Sequence, residues 1–163
     1  MKVKNKIIII TIVFFSNFFI DRITKILAEN YLQGKNPINL LGNLVILSFV
    51  RNNGAFLSVG SNFSEIFKLF IFIVIPVIIC LYGIYYCLYK ETDKLSLVLI
   101  VSIVAGGFGN IYDRIFNNGY VTDFLNFGIG NLRTGILNIA DISITIGAIL
   151  LLLYEVTKTI KKD

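Results

Sequence analysis

Residues 95–116 read LSLVLIVSIVAGGFGNIYDRIF. The run opens on hydrocarbon side chains, passes through glycines at 106, 107 and 109, and ends on Asn110, Asp113 and Arg114 within the same apolar background. It is close to the ~20 residues an α-helix needs to cross ~30 Å of hydrocarbon. Charged groups at such depth cost several kcal/mol and are usually kept for a function. The stretch therefore reads as a membrane span with a polar outer end.

Three further stretches have the same character: Ile7–Ala28, Ile66–Tyr89 and Ile139–Val156. The first carries Asp21, Arg22 and Lys25, and Asp141 stands at the mouth of the last. The expected fold is a membrane α-helical domain over residues 1–163 with four transmembrane helices. The chain is 56% hydrophobic with mean hydropathy +0.79, which excludes a disordered chain and argues against a soluble domain.

The net charge is +5. Lysines gather at the N-terminus (Lys2, Lys4, Lys6), in the short loop after the second span (Lys90, Lys94) and at the C-terminus (Lys158, Lys161, Lys162). This positive-inside pattern places both termini and the 90–94 loop in the cytoplasm. No basic stripe with interleaved aromatics points to nucleic acid. The basic start followed by Ile7–Phe15 has the outline of a signal peptide. It lacks a small-x-small cleavage site, and apolar character resumes at Ile26–Ala28, so an uncleaved first span is expected.

Cys80 and Cys87 are too sparse for a disulfide framework or a zinc site and read as packing residues. The chain has no histidine. That removes Ser–His and Cys–His nucleophiles and His-ligated zinc hydrolases together. Hydrolytic chemistry would rest on carboxylates or on a Ser–Lys pair, with no metal or cofactor.

Four crossings leave residues 29–65 and 117–138 outside. Asn43–Arg51, rich in Val, Ile, Leu and Phe, reads as a strand, as does Tyr120–Phe124. Asn52-Asn53-Gly54 and Asn117-Asn118-Gly119 are turn signals, because both central positions of such turns tolerate positive φ. A small extracytoplasmic β-sheet at the membrane surface is expected. Asn62-Phe63-Ser64 matches a glycosylation sequon, a short pattern that arises by chance. Pro76 predicts a kink in the second span.

Polar residues converge on the outer side. Asp21 and Lys25 are four apart and share a helical face. Asn110 and Arg114 are also four apart, and Gly106 extends their stripe. The glycines allow another helix to come close. Helix packing with a snorkelling arginine would account for part of this; with Asn110, Asp113 and Arg114 together, an inward-facing polar network is the better reading. Asn138 reads as an N-cap, which places Asp141 in the first turn, where the helix dipole favours a carboxylate. Asp123 alone could be a strand-end acid in water. Paired with Asp141 at a dry interface it would share a proton, as in aspartic proteases.

Several blocks resemble the signal peptidase II family of bacterial lipoprotein signal peptidases. They are Asp21-Arg22-Ile23-Thr24-Lys25, Arg51-Asn52-Asn53-Gly54-Ala55-Phe56, Gly106–Arg114, Gly119–Phe124 and Asn138–Asp141, in family order across most of the chain. The resemblance implies a four-span aspartyl endopeptidase that cuts lipid-modified prolipoproteins before the diacylglyceryl cysteine. It implies Asp123 and Asp141 as the catalytic pair, with Asp21, Lys25, Asn52, Gly54, Asn110, Arg114 and Asn138 supporting the site. Prolipoproteins and membrane lipids would be its partners, with the active site on the outer face of the cytoplasmic membrane. The chain departs from the family pattern in one additional residue between Arg114 and Gly119, in Leu137 and in Ile142.

Other classes remain open from the residues alone. A proton or ion transporter would use buried Asp and Lys as a relay, but the cytoplasmic halves of the spans carry almost no ionisable groups. A non-enzymatic assembly factor would tolerate Asp-to-Asn changes. A Ser–Lys hydrolase would use Lys25 as base, although no serine stands in a recognisable motif with it.

Overall fold

In a computed structural model, residues 1–55, 59–91 and 93–161 are described. Phe56, the last residue of the Arg51–Phe56 block, and Lys162 of the basic tail lie outside them. Among the described residues, four helices are long and apolar enough to cross a membrane. The first is α1 (Val3–Leu32). The second runs through α2 (Glu65–Leu69), a π-helical turn (Phe70–Val74) and α3 (Ile75–Tyr89). The third and fourth are α4 (Lys94–Phe116) and α5 (Ile139–Ile160).

The π-turn sits directly before Pro76. Proline has no N–H and its ring crowds the carbonyl four residues back, and a widened turn relieves that crowding. The discontinuity expected at this proline therefore takes the form of a π-turn.

α4 is the hub. Half of its apolar window is buried, against about a tenth in α1 and α5. Its glycines set the spacing: a Cβ on Gly106 would lie 2.5 Å from the Ala140 carbonyl of α5, and one on Gly109 would lie 2.8 Å from Asp21 Oδ2 of α1. No side chain fits at either contact, so these positions let three helices meet. At the opposite end, Lys6 Nζ donates to the Leu88 carbonyl (2.9 Å) and Ser96 Oγ to Glu155 (2.6 Å), joining the helix ends. Cys87 is fully buried beside Leu97 and Val101, as a packing residue should be.

The extramembrane segments form one antiparallel sheet, ordered β1 (Ile38–Leu40), β2 (Val45–Asn52), β3 (Val121–Ile129) and β4 (Leu132–Leu137). β2 and the start of β3 coincide with the two expected strands; β1, β4 and the far half of β3 extend the sheet beyond them. An irregularity between Leu47 and Val50 of β2 shifts the register so that Val50 faces Asp123 and Asn52 faces Val121. Bulges of this kind re-aim side chains next to functional sites.

Only one of the two Asn-Asn-Gly turns uses positive φ. At the end of α4, Asn118 (φ 54°) and Gly119 (φ 87°) are left-handed, and Gly119 N donates back to the Arg114 carbonyl at 2.9 Å. This closure ends the helix in the manner of a Schellman motif. Gly54 is not left-handed; its place is set by hydrogen bonds instead.

Candidate active site

The outer halves of α1 and α4, the start of α5 and the adjoining ends of β2 and β3 meet in a polar cluster. Asp123 comes from β3. Its Oδ1 accepts from Asn138 Nδ2 (2.7 Å) and its Oδ2 from Asn52 Nδ2 (3.0 Å). Asp141 comes from the first turn of α5. Its Oδ1 accepts from Asn110 Nδ2 (2.8 Å), and its Oδ2 accepts from the Asn138 backbone N–H (3.2 Å). Asn138 Oδ1 in turn accepts from the Asp141 N–H at 2.9 Å, a complete capping box. Asn138 Nδ2 also donates to Asn110 Oδ1 (3.1 Å). Two asparagine amides thus connect the aspartates in one chain of hydrogen bonds.

Both carboxylates line one cavity of about 150 Å³, together with Asn52, Ala55, Asn110, Arg114, Val121 and Ile136. Burial pushes the Asp123 carboxyl up to about 6 from an ordinary 3.8. The Asn52 donor opposes that rise, the Asp141 charge adds to it, and Asn138 and Lys25 oppose it again.

A second layer is ionic. Lys25 Nζ lies 2.9 Å from Asp21 Oδ2, 2.8 Å from Asp113 Oδ2 and 3.1 Å from Asn110 Oδ1. Each ammonium proton has an acceptor, and none is left for a serine. Arg22 Nη1 pairs with Asp113 Oδ1 at 2.6 Å, and its guanidinium lies over the Tyr112 ring. Asp21 Oδ1 accepts from the Ala140 N–H (3.0 Å), which fixes α1 against the start of α5. Asp113 Oδ2 also receives the Thr122 N–H (3.4 Å), one residue before Asp123. Asp21, Lys25 and Asp113 are all buried, so their compensation must come from one another, from Arg22 and from the neighbouring backbone N–H groups.

Arg114 holds the remaining side. Its Nη2 donates to the Gly54 carbonyl (2.7 Å) and its Nη1 to the Asn110 carbonyl (3.2 Å). Gly54 N donates to Asn52 Oδ1 at 2.9 Å. These bonds hold the 52–55 segment over the cavity and orient the Asn52 amide toward Asp123.

All nine residues singled out in the sequence meet here: Asp123, Asp141, Asp21, Lys25, Asn52, Gly54, Asn110, Arg114 and Asn138. Arg22 and Asp113 were not assigned to the site, yet they complete its ionic layer. The signal for them was present: each is an ionisable residue at membrane depth beside one already suspected, and neither can be buried without a partner.

Fold and site together define a class: a polytopic membrane protein with two carboxylates on one small cavity at the helix ends. Comparisons with known proteins narrow it. The family model for signal peptidase (SPase) II matches residues 12–157. A lipoprotein signal peptidase of Borrelia hermsii (strain HS1 / DAH) is 36% identical over 157 residues, covering 93% of this chain and 92% of that one. One from Caldicellulosiruptor bescii is 34% identical over 147 residues, covering 90% and 89%. A solved structure described as a bacterial membrane enzyme superposes with a TM-score of 0.81 at 27% identity, covering 98% of this chain and 92% of that one. The chain belongs to the signal peptidase II family, and it is an enzyme of the aspartic peptidase type.

Proposed function

We propose that Asp123 and Asp141 are the catalytic pair of an endopeptidase that removes signal peptides from diacylglyceryl-modified prolipoproteins, cutting before the lipidated cysteine. The observation that carries this reading is the pair of carboxylates on one cavity, bridged by Asn138 and Asn110. Two carboxyl groups so placed hold one proton between them at catalytic pH. The ionised member takes a proton from water as the water oxygen bonds to the scissile carbonyl carbon. The protonated member gives its proton to the carbonyl oxygen, forming a gem-diol. A proton then passes to the amide nitrogen, the C–N bond breaks, and the products are a carboxylic acid and the free amine of the cysteine. The raised Asp123 carboxyl suits the role of proton holder.

The remaining residues position this pair. Asn52, Asn110 and Asn138 orient the carboxylates, Asp21 and Lys25 lock α1 to α4 and α5, and Gly54 with Arg114 holds the segment over the cavity. The lysine distribution supports cytoplasmic termini, and with them an active site on the outer face of the membrane. A proton relay finds little support: no Asp, Glu, Lys or Arg lies between Lys6 and Asp21, between Lys94 and Asp113, or between Asp141 and Glu155.

The test is to incubate purified protein, in lipid, with a diacylglyceryl-modified prolipoprotein and with its unlipidated form. Cleavage of the lipidated form alone, with the new N-terminus at the modified cysteine, is expected. Equal cleavage of both, or of neither, would overturn the reading.

A further inference from the structure

The end of the sheet away from the catalytic cavity carries an unusual set of side chains. Leu40 pairs with Val45, and Val45 with Phe127, so the β1–β2 and β3–β4 turns lie at the same end. Gly128 N donates to the Leu44 carbonyl and Arg133 Nη1 to the Asn43 carbonyl, both at 3.0 Å, tying the two tips into one apex. Leu41 is 76% exposed, Ile129 76% and Leu132 84%, and Leu40 and Leu44 are also exposed. Leu41, Ile129 and Leu132 are thus more exposed than span residues such as Ile12 (64%) and Leu81 (67%). An apolar patch of this kind marks an interaction surface.

Three observations favour lipid as what covers it. First, the apex offers water almost no charge. Arg133 is the only ionisable residue in segments 38–50 and 124–137, and its guanidinium is directed to Asn126 and the Asn43 carbonyl. Second, Leu41 is left-handed (φ 50°), ahead of Gly42 and Asn43, which are left-handed too. That conformation costs a leucine roughly 1–2 kcal/mol, and a side chain so exposed recovers little of it within the protein. Third, Phe127, Thr134 and Leu137 of the sheet line a groove of about 730 Å³ with Asp141, Ile142 and Ile146 of α5. Ile142 and Ile146 lie roughly 5–10 Å along the helix from its first residue. The β3–β4 hairpin thus lies alongside the first turns of α5, a helix long and apolar enough to cross a membrane. The neighbouring surface of α5, at Ile146 and Ile149, is itself exposed and apolar.

We infer that the joined hairpin tips are a membrane wedge. Leu41, Leu44, Ile129 and Leu132 seat among phospholipid acyl chains of the leaflet that the start of α5 enters. The wedge pins the sheet to the bilayer and lets the apolar groove beside Asp141 open directly onto lipid. This inference depends on the spans and the sheet, and not on which residues are catalytic.

The test uses the full chain with Cys80→Ala and Cys87→Ala, an environment-sensitive fluorophore on Leu132→Cys, and reconstitution into phosphatidylcholine–phosphatidylglycerol vesicles. A second variant carries the fluorophore on Leu41→Cys, the other tip. Both sites are exposed, so labelling leaves the fold intact, which circular dichroism and monodisperse elution confirm. The expected result at both sites is blue-shifted emission, loss of intensity with lipids bearing a nitroxide high on the acyl chain, and protection from aqueous iodide. Free quenching by iodide with no effect of nitroxide lipid would overturn the inference. Protection from both quenchers would also overturn it, because it would mean cover by protein, such as a second copy of the chain.

Discussion

Replacing Asp123 by asparagine separates the chemistry of the site from its architecture. The carboxyl titrates at about 6, against 3.8 ordinarily. That difference corresponds to about 3 kcal/mol spent at neutral pH on keeping the buried group ionised. An amide removes that cost. It also replaces two acceptor oxygens with one oxygen and one NH2, so either Asn52 or Asn138 then faces another donor. A donor left unpaired in this way costs about 1–3 kcal/mol. The two effects largely cancel, and Asp123→Asn should unfold within about 2 kcal/mol of the parent at pH 7. Cleavage of lipidated prolipoprotein should nevertheless fall by roughly 10²-fold to 10⁴-fold or more, because one of two proton-transfer groups is gone. The parent should also show a stability trend that the variant lacks. A folded-state value above the unfolded one means the folded form binds the proton more tightly. Stability from this group is therefore fully present below pH about 4, falls as pH rises to about 6, and is flat beyond. Gel-based cleavage and thermal unfolding in one detergent, across pH, read out both effects. Activity within about tenfold of the parent in a stably folded Asp123→Asn protein would refute the reasoning.

Further predictions concern the surrounding layers. Cleavage by the parent should decline above pH about 6 as Asp123 loses the shared proton, and a pH–rate profile flat through that range would contradict it. Gly106→Ala places a methyl 2.5 Å from a backbone carbonyl of α5; it should cost about 1–3 kcal/mol or more in unfolding experiments. Gly107→Ala meets only the Cys80 sulfur at 3.2 Å and should cost less. Lys25→Met leaves Asp21 and Asp113 buried without their shared cation and should destabilise by about 3–5 kcal/mol. Adding Asp21→Asn should restore part of that stability, whereas a lysine acting as a hydrolytic base would show lost activity in a stable protein.

Much of this architecture could be read from the chain because membrane spans and charge burial are strong local signals. Leu95–Phe116 was long, apolar and interrupted only at one end, and the structure puts that end at the site. Asp21 with Lys25 and Asn138 with Asp141 were readable through helical spacing and capping, which need no knowledge of tertiary structure. Strands were harder. Ile38–Leu40 and Leu132–Leu137 are short, and Arg133, Thr134 and Gly135 dilute the second; they become strands because neighbours offer an edge to pair with. Nor could spacing show that Asn110 and Asn138 would bridge the two aspartates, which lie on different elements. Asn52-Asn53-Gly54 looked like its twin at 117–119, but the bonds to Asn52 and Arg114 hold Gly54 in a conformation that needs no left-handed residue. The partners of Arg22 and Asp113 depend on how three helices meet, and only the packing reveals that.

The most direct test of the catalytic assignment is an experimental structure of the protein with a substrate-derived peptide whose scissile amide is replaced by a secondary alcohol, a mimic of the gem-diol. The hydroxyl should lie within hydrogen-bond distance of a carboxyl oxygen of Asp123 and one of Asp141 at once. A hydroxyl bound by one carboxyl alone, or seated outside the cavity between β3 and α5, would contradict the paired-aspartate mechanism.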